Sequence, residues 1–240
     1  MIQKQITNPT AVVTGASSGI GLAIVKMLID EGYIVYGVCR NPKKCEFHHK
    51  NFILQSVNLT QAKETEEWLR SLLNQKDFHL DLLVLNAGKG YFAPMEELGS
   101  EQIQEMVALN LTSPLVITNK LLRKLKEREG RIILIGSVAG VQISPWGSVY
   151  GATKAGLVHF GRELFHELRR SGVKVTNIIP DMTATEFYKE LRFEPDKDPK
   201  SFIDADCIAD AVLTVLEQRD GTVISEMIIQ PERFKIKKKS

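Results

Sequence analysis

The stretch Thr14-Gly15-Ala16-Ser17-Ser18-Gly19-Ile20-Gly21 decides the fold. The apolar run Ala11-Val12-Val13 precedes it, and an amphipathic run over 20–28 follows. Together they predict a strand, a tight turn and a helix. The spacing G-x-x-x-G-x-G gives each glycine a use: turning sharply, letting backbone approach a phosphate, and packing the helix on the sheet. The helix aims its free N–H groups and positive dipole end into the turn, which favours an anion there.

Outward from this turn, strands and helices alternate. Further strands are predicted over 33–40, 52–57, 81–85, 130–137, 173–179 and 225–229. Helices are predicted from Thr60, as N-cap, to about residue 75, over 100–127, from 148 past 168, and over 205–218. The 81–85 run is nearly all apolar, as a strand covered on both faces should be. The pattern predicts one α/β domain spanning 1–240, a doubly wound parallel sheet with helices on both faces. Pro114 falls inside the 100–127 helix and deprives the Asn110 carbonyl of its usual donor. The result is either a kink or a carbonyl free to hold water. The 182–206 segment reads as irregular, and 235–240 as a solvated, loose basic tail.

Of the 240 residues, 43% are hydrophobic and 25% charged, which fits an ordinary soluble domain. A net charge of +2 argues against a field for nucleic acid or membrane, and the four tail lysines offer only weak, salt-sensitive attraction. No run of 18 apolar residues is present, and 1–9 lack a signal pattern. Cys39, Cys45 and Cys207 form no C-x-x-C, which points to a reduced, cytoplasmic setting. The five histidines form no ligand cluster, so no metal is expected.

Ligands of an open parallel sheet bind outside the carboxyl ends of its strands. Residues 15–21, Arg40, Asn86-Ala87-Gly88, Ser137 and 180–185 all fall at such ends. An acidic residue at the end of strand two would hold a ribose 2′-hydroxyl, whereas arginine suits a 2′-phosphate. Here that strand ends in Cys39 and Arg40, with Lys43 and Lys44 beyond, which also reads as a solvated basic turn. Tyr150 and Lys154 stand at i and i+4, on one helical face.

In combination these residues resemble the classical short-chain dehydrogenase/reductase family. The resemblance runs from about residue 10 to 231 and rests on the Gly turn, Asn86-Ala87-Gly88, the helical Asn110, Ser137, Tyr150-x-x-x-Lys154 and the loop after strand six. It implies a Rossmann-type sheet of about seven strands, order 3-2-1-4-5-6-7, and NAD(P)(H)-linked interconversion of a carbonyl and a secondary alcohol. By position, Tyr150 is implied as general acid/base and Ser137 as the partner of the substrate oxygen. Lys154 would bind the nicotinamide ribose and lower the Tyr150 pKa. Asn110 would hold a water linking Lys154 to solvent. Gly15, Ser17, Ser18, Gly19, Ile20, Gly21, Arg40, Asn58, Leu59, Asn86, Ala87, Gly88, Tyr150, Lys154, Pro180, Thr183 and Thr185 are the implied cofactor contacts. Arg40 favours NADP(H) over NAD(H).

Asn58 stands where the family usually has an acidic residue, and Pro180-Asp181 where it commonly has Pro-Gly. Asp181 is expected to point to solvent. The 182–206 loop, with Tyr91, Phe92, Ile143, Trp146, Phe187, Tyr188, Leu191 and Phe193, is expected to shape a pocket for a largely apolar small-molecule substrate. The helices over 100–127 and 148–170 imply a homodimer or homotetramer. A non-catalytic regulatory or scaffold protein that binds NADP(H) is the alternative, and intact Asn110, Ser137, Tyr150 and Lys154 argue against it.

Overall fold

The computed structural model describes residues 8–239. In chain order the elements are β1 (Thr10–Thr14), α1 (Gly19–Asp30), β2 (Ile34–Cys39), β3 (Phe52–Ser56), α2 (Ala62–Leu73), β4 (Leu82–Leu85), α3 (Ser100–Val107) and α4 (Ser113–Arg128). There follow β5 (Arg131–Ile135), α5 (Ser148–Leu168), β6 (Lys174–Pro180), β7 (Phe193–Pro195), α6 (Ala205–Leu216), β8 (Glu226–Ile229) and β9 (Ile236–Lys238). Seven strands form a parallel sheet in the order β3-β2-β1-β4-β5-β6-β8. This is the expected order. The seventh strand of the sheet is the eighth in the chain because the short β7 intervenes.

Successive residues along each central strand serve opposite faces. Val12, Leu83, Leu85, Ile132 and Leu134 meet Trp68 of α2, Ile117 and Leu121 of α4, and Leu157 and Leu164 of α5. Their neighbours Ala11, Val13, Leu82, Val84, Ile133 and Ile135 meet Ile24 and Leu28 of α1 and Ile208 and Val212 of α6. A parallel strand covered on both faces must be apolar throughout, which is why β4 carries no polar residue.

Three expectations change. The helix α2 starts at Ala62, because the Thr60 amide and hydroxyl both turn back to Asn58 Oδ1, at 3.2 and 2.8 Å. Thr60 is therefore part of a turn ahead of the helix and not its cap. The 100–127 helix divides at a π turn, Ala108–Thr112, where the Ser113 amide donates to the Ala108 carbonyl. Pro114 has no N–H to continue the α-helical ladder at Asn110. The Ser113 hydroxyl meanwhile donates to the Leu109 carbonyl at 2.9 Å.

The third change is at the C-terminus. The tail expected to be loose forms β9, which pairs antiparallel with β7, inside the segment expected to be irregular. Lys235 pairs with Asp198, and Lys237 and Lys239 with Glu194, so three of the four tail lysines are engaged with this chain's own carboxylates. Among the described residues no helix is long and apolar enough to cross a membrane.

Candidate functional site

The carboxyl ends of β1 and β4 are tied together by Thr14 and Asn86. Thr14 Oγ1 accepts from the amides of Asn86 and Ala87, both at 3.0 Å. Asn86 Nδ2 donates to the carbonyls of Thr14 and Gly15, at 3.0 and 3.2 Å. Gly15 turns at φ +67°, and a Cβ there would stand 2.9 Å from Asn86 Nδ2. A Cβ at Gly21 would overlap the Gly15 carbonyl oxygen. Ser18 precedes α1 with extended backbone and makes no side-chain cap, and no acidic side chain lies in the first turn. The first amides of α1 are thus left to an external acceptor, with the positive end of the helix behind them.

Tyr150, Lys154 and Ser137 meet at the carboxyl end of β5. Ser137 follows that strand, and its Oγ accepts from the Ala139 amide at 3.2 Å. Lys154 Nζ donates to the Ile135 carbonyl at 2.9 Å and lies 6.0 Å from the Tyr150 ring centre. Both residues are buried. Burial pushes the Tyr150 phenol up to about 12, against the opposing pull of the Ser137 hydroxyl. Burial likewise brings the Lys154 ammonium down to about 8. The sequence led us to expect Lys154 to lower the Tyr150 pKa. In this structure the removal of water from the phenolate is the largest influence on the Tyr150 pKa.

Asn110 lies fully buried behind this pair. Its Nδ2 donates to the Lys89 carbonyl at 2.8 Å and to Thr153 Oγ1 at 3.0 Å, while Oδ1 accepts from the Lys89 amide at 2.9 Å. The side chain therefore fixes the loop after Gly88 and the first turns of α5 at once.

At the other end, Arg40 Nη1 donates to Glu105 Oε1 at 3.2 Å. Glu105 also accepts from the Tyr91 hydroxyl and lies 3.6 Å from Lys89 Nζ. Thr185 packs its methyl against Gly19, and Thr183 bridges to Ile203. Asp181 does not simply face solvent as expected. Its carboxylate accepts from the Met182 amide at 2.8 Å and from Gln230 Nε2 at 3.2 Å.

One cleft of about 1420 Å³ runs from the Gly turn and Arg40 past Ser137, Tyr150 and Lys154 to Asp181. Every candidate residue lines it except Gly21, Asn58 and Asn110. Gly21 supports the turn from behind, Asn58 is occupied by Thr60, and Asn110 acts through Lys89. Over Tyr150 five aromatic rings close on one another. The neighbouring centroids are Tyr150–Phe92 at 5.2 Å, Phe92–Phe193 at 5.2 Å, Phe193–Tyr188 at 5.8 Å, Tyr188–Phe187 at 5.3 Å and Phe187–Tyr150 at 5.8 Å. Ile143 and Trp146 stand exposed at the rim. Tyr91 and Leu191, expected in the wall, are absent from it: Tyr91 is engaged with Glu105, and Leu191 is buried. Lys89, Glu105 and the tail were missed in the sequence. Lys89 follows Asn86-Ala87-Gly88 directly, a signal that could have found it; Glu105 gave none, since 65 residues separate it from Arg40.

A site with a Gly turn, a strand-end Ser and a Tyr-x-x-x-Lys helix has close counterparts. The family model for short chain dehydrogenases matches residues 9–196. An uncharacterized oxidoreductase of Staphylococcus epidermidis is 33% identical, over 95% of this chain and 99% of its own. The alcohol dehydrogenase of the archaeon Thermococcus sibiricus, complexed with 5-hydroxy-NADP, superposes with a TM-score of 0.84 at 26% identity, covering 95% of this chain and 98% of its own. A serine dehydrogenase complexed with NADP⁺ gives 0.81 at 26% identity, covering 92% and 94%. Sequence, fold and site agree, and the chain belongs to the short-chain dehydrogenase family.

Proposed function

We propose that this protein is an NADP(H)-dependent oxidoreductase that interconverts a carbonyl and a secondary alcohol, with Tyr150 as acid/base. The observation that carries the reading is the convergence of Ser137, Tyr150 and Lys154 on one cleft with the Gly turn. The turn fits a dinucleotide. Its amides are unclaimed by side-chain caps, and it has no room for a Cβ at Gly21. Gly15, Ser17, Ser18, Gly19 and Ile20 would hold the pyrophosphate, Arg40 the 2′-phosphate, and Leu59 and Ala87 the adenosine. Gly88, Lys154, Pro180, Thr183 and Thr185 would hold the nicotinamide half. NADP(H) is the cofactor that Arg40 favours, and the two relatives solved with an NADP-type ligand support it.

When bound, the cofactor supplies or accepts the hydride. Ser137 orients the substrate oxygen. Tyr150, protonated at neutral pH, donates its proton to that oxygen as the carbonyl is reduced, and takes it back in oxidation. Lys154, charged below about pH 8, stabilises the phenolate left behind. Asn110 keeps the Lys89 loop in register with α5. The aromatic wall selects a substrate with a largely apolar body. We further propose a cytoplasmic homodimer or homotetramer assembled through α4 and α5, which light scattering at micromolar concentration would test; a monomer would overturn it.

The decisive experiment is NADPH oxidation with a panel of ketones and aldehydes, repeated with NADH. Turnover with NADPH that Tyr150→Phe abolishes supports the reading. Tight NADPH binding with no turnover of any carbonyl would favour a regulatory protein instead.

A further inference from the structure

The segment over 186–200 carries three of the four rings around Tyr150 and has little structure of its own. No regular element within it exceeds three residues, the length of the 3-10 turn Glu186–Tyr188 and of β7. A two-stranded ribbon is marginal by itself in water. Here the partner strand comes from the end of the chain. In register, Phe193 faces Lys238, Glu194 faces Lys237 and Pro195 faces Ile236. The Lys239 amide donates to the Arg192 carbonyl at 2.8 Å, and the Arg233 amide to the Lys200 carbonyl at 2.8 Å. Lys239 Nζ donates to the Tyr188 and Lys189 carbonyls, so one side chain grips the segment between two of the aromatic residues.

Charge reinforces each end. Glu194 pairs with Lys237 at 3.2 Å and with Lys239 at 3.6 Å. Asp198 pairs with Arg233 at 3.2 Å and with Lys235 at 3.5 Å. The residues of β9 are themselves exposed, and neither hydrophobic core contains a residue beyond Ile229. Among the described residues, the strand pairing, hydrogen bonds and ion pairs of 236–239 run to the segment that carries the aromatic wall.

We propose that the C-terminal strand β9 is a positioning element for substrate, holding Phe187, Tyr188 and Phe193 in place against Tyr150. Its catalytic meaning rests on the acid/base role of Tyr150, and its structural content does not. Removing the strand leaves the Gly turn, Arg40 and Lys154 untouched, so the cofactor half of the cleft is unaffected. The substrate half loses its fixed wall.

The test compares the full chain with a chain ending at Arg233, with Lys239→Met and with Lys239→Arg. Amide hydrogen exchange over 186–196 is expected to speed up by about tenfold or more in the truncated chain. It should rise to a lesser degree in Lys239→Met and stay near native in Lys239→Arg. Exchange in α1 and α5, and the affinity for NADPH, are expected to be unchanged. With acetophenone as an apolar probe, KM is expected to rise in the truncated chain while kcat changes little. Unchanged exchange over 186–196 after truncation overturns the inference. So does faster exchange with an unchanged acetophenone KM, because the strand would then hold a loop that does not shape the site. A full chain that turns over no carbonyl would defeat the proposed reaction instead and leave the exchange comparison as the deciding measurement.

Discussion

Arg40 at the end of β2 reaches across the mouth of the cleft to Glu105 on α3, with Nη1 3.2 Å from Oε1. The arginine side chain is 59% exposed, so the pair contributes little to stability. In the proposed reading its effect is on the cofactor. Glu105 holds the guanidinium in place but also offsets its charge, and it does the same to Lys89 at 3.6 Å. Arg40→Asp should weaken NADPH by about tenfold or more, since a hydrogen bond to a charged group contributes roughly 1.5–3 kcal/mol. Glu105→Gln should act in the opposite direction and tighten NADPH by less than about tenfold, as expected for a screened pair. Titration of NADPH and NADH against each variant measures both. Parallel changes for the two cofactors would show that neither side chain senses the 2′-phosphate.

A second prediction concerns the buried ammonium. Lys154 titrates at about 8 in the folded protein, below its ordinary 10.5. Between those values the unfolded chain binds the proton and the folded chain does not. Stability from this group therefore rises with pH through that window, by up to about 3 kcal/mol. Tyr150 has the opposite sign: its folded value of about 12 exceeds its ordinary 10, so its contribution falls as pH rises from 10 to 12. Denaturant unfolding of the protein without cofactor, from pH 7 to 10, should show the native chain gaining on Lys154→Met. A constant difference between the two curves would mean that Lys154 titrates normally.

The Gly turn yields a third. A methyl group at residue 21 would overlap the Gly15 carbonyl oxygen and stand 2.5 Å from Asn86 Nδ2. Neither is the free end of a flexible side chain, because Asn86 is fixed by two carbonyls. Gly21→Ala should cost about 1–3 kcal/mol, the usual range for forcing atoms into a packed site. It should also abolish measurable NADPH binding, since the turn must open to relieve the overlap. Thermal unfolding and NADPH fluorescence check the two parts separately. A variant that binds NADPH like the native chain would remove Gly21 from the turn's design.

The alternation of strands and helices, the Gly turn and the Ser137, Tyr150 and Lys154 constellation were legible because each is written locally, whereas the sheet order came from the family resemblance. Strand β4 is apolar on both faces, the glycines sit at fixed spacing, and Tyr150 and Lys154 are one helical turn apart. The π turn at Ala108–Thr112 was half legible. Pro114 marks where the helical ladder fails, and the Ser113 bonds that resolve the failure depend on packing. The β7–β9 pair was not legible. Three-residue strands have too few positions to show alternation, and a lysine-rich end reads as solvated until its acidic partners, about 40 residues away, are brought against it. The upward push of burial on the Tyr150 phenol was not legible for a related reason: burial is a property of the whole fold.

The fourth prediction tests the chemistry at Tyr150 itself. Tyr150→Phe keeps the ring, and with it the contacts to Phe92 and Phe187. Folding and NADPH affinity should therefore persist. Turnover should fall by about 10²–10⁴-fold, the range for a positioned acid–base group. Ser137→Ala should lower kcat and also move the pH profile, because the Ser137 hydroxyl opposes the upward push on the phenol. Without it the phenolate is harder to form, so alcohol oxidation should need a higher pH, while carbonyl reduction, which uses the protonated phenol, should keep its plateau at neutral pH. Steady-state rates in both directions across pH, for the native chain and both variants, distinguish these outcomes. Retention of more than about a tenth of native kcat by Tyr150→Phe, a loss smaller than acid–base catalysis provides, would assign the proton to another group.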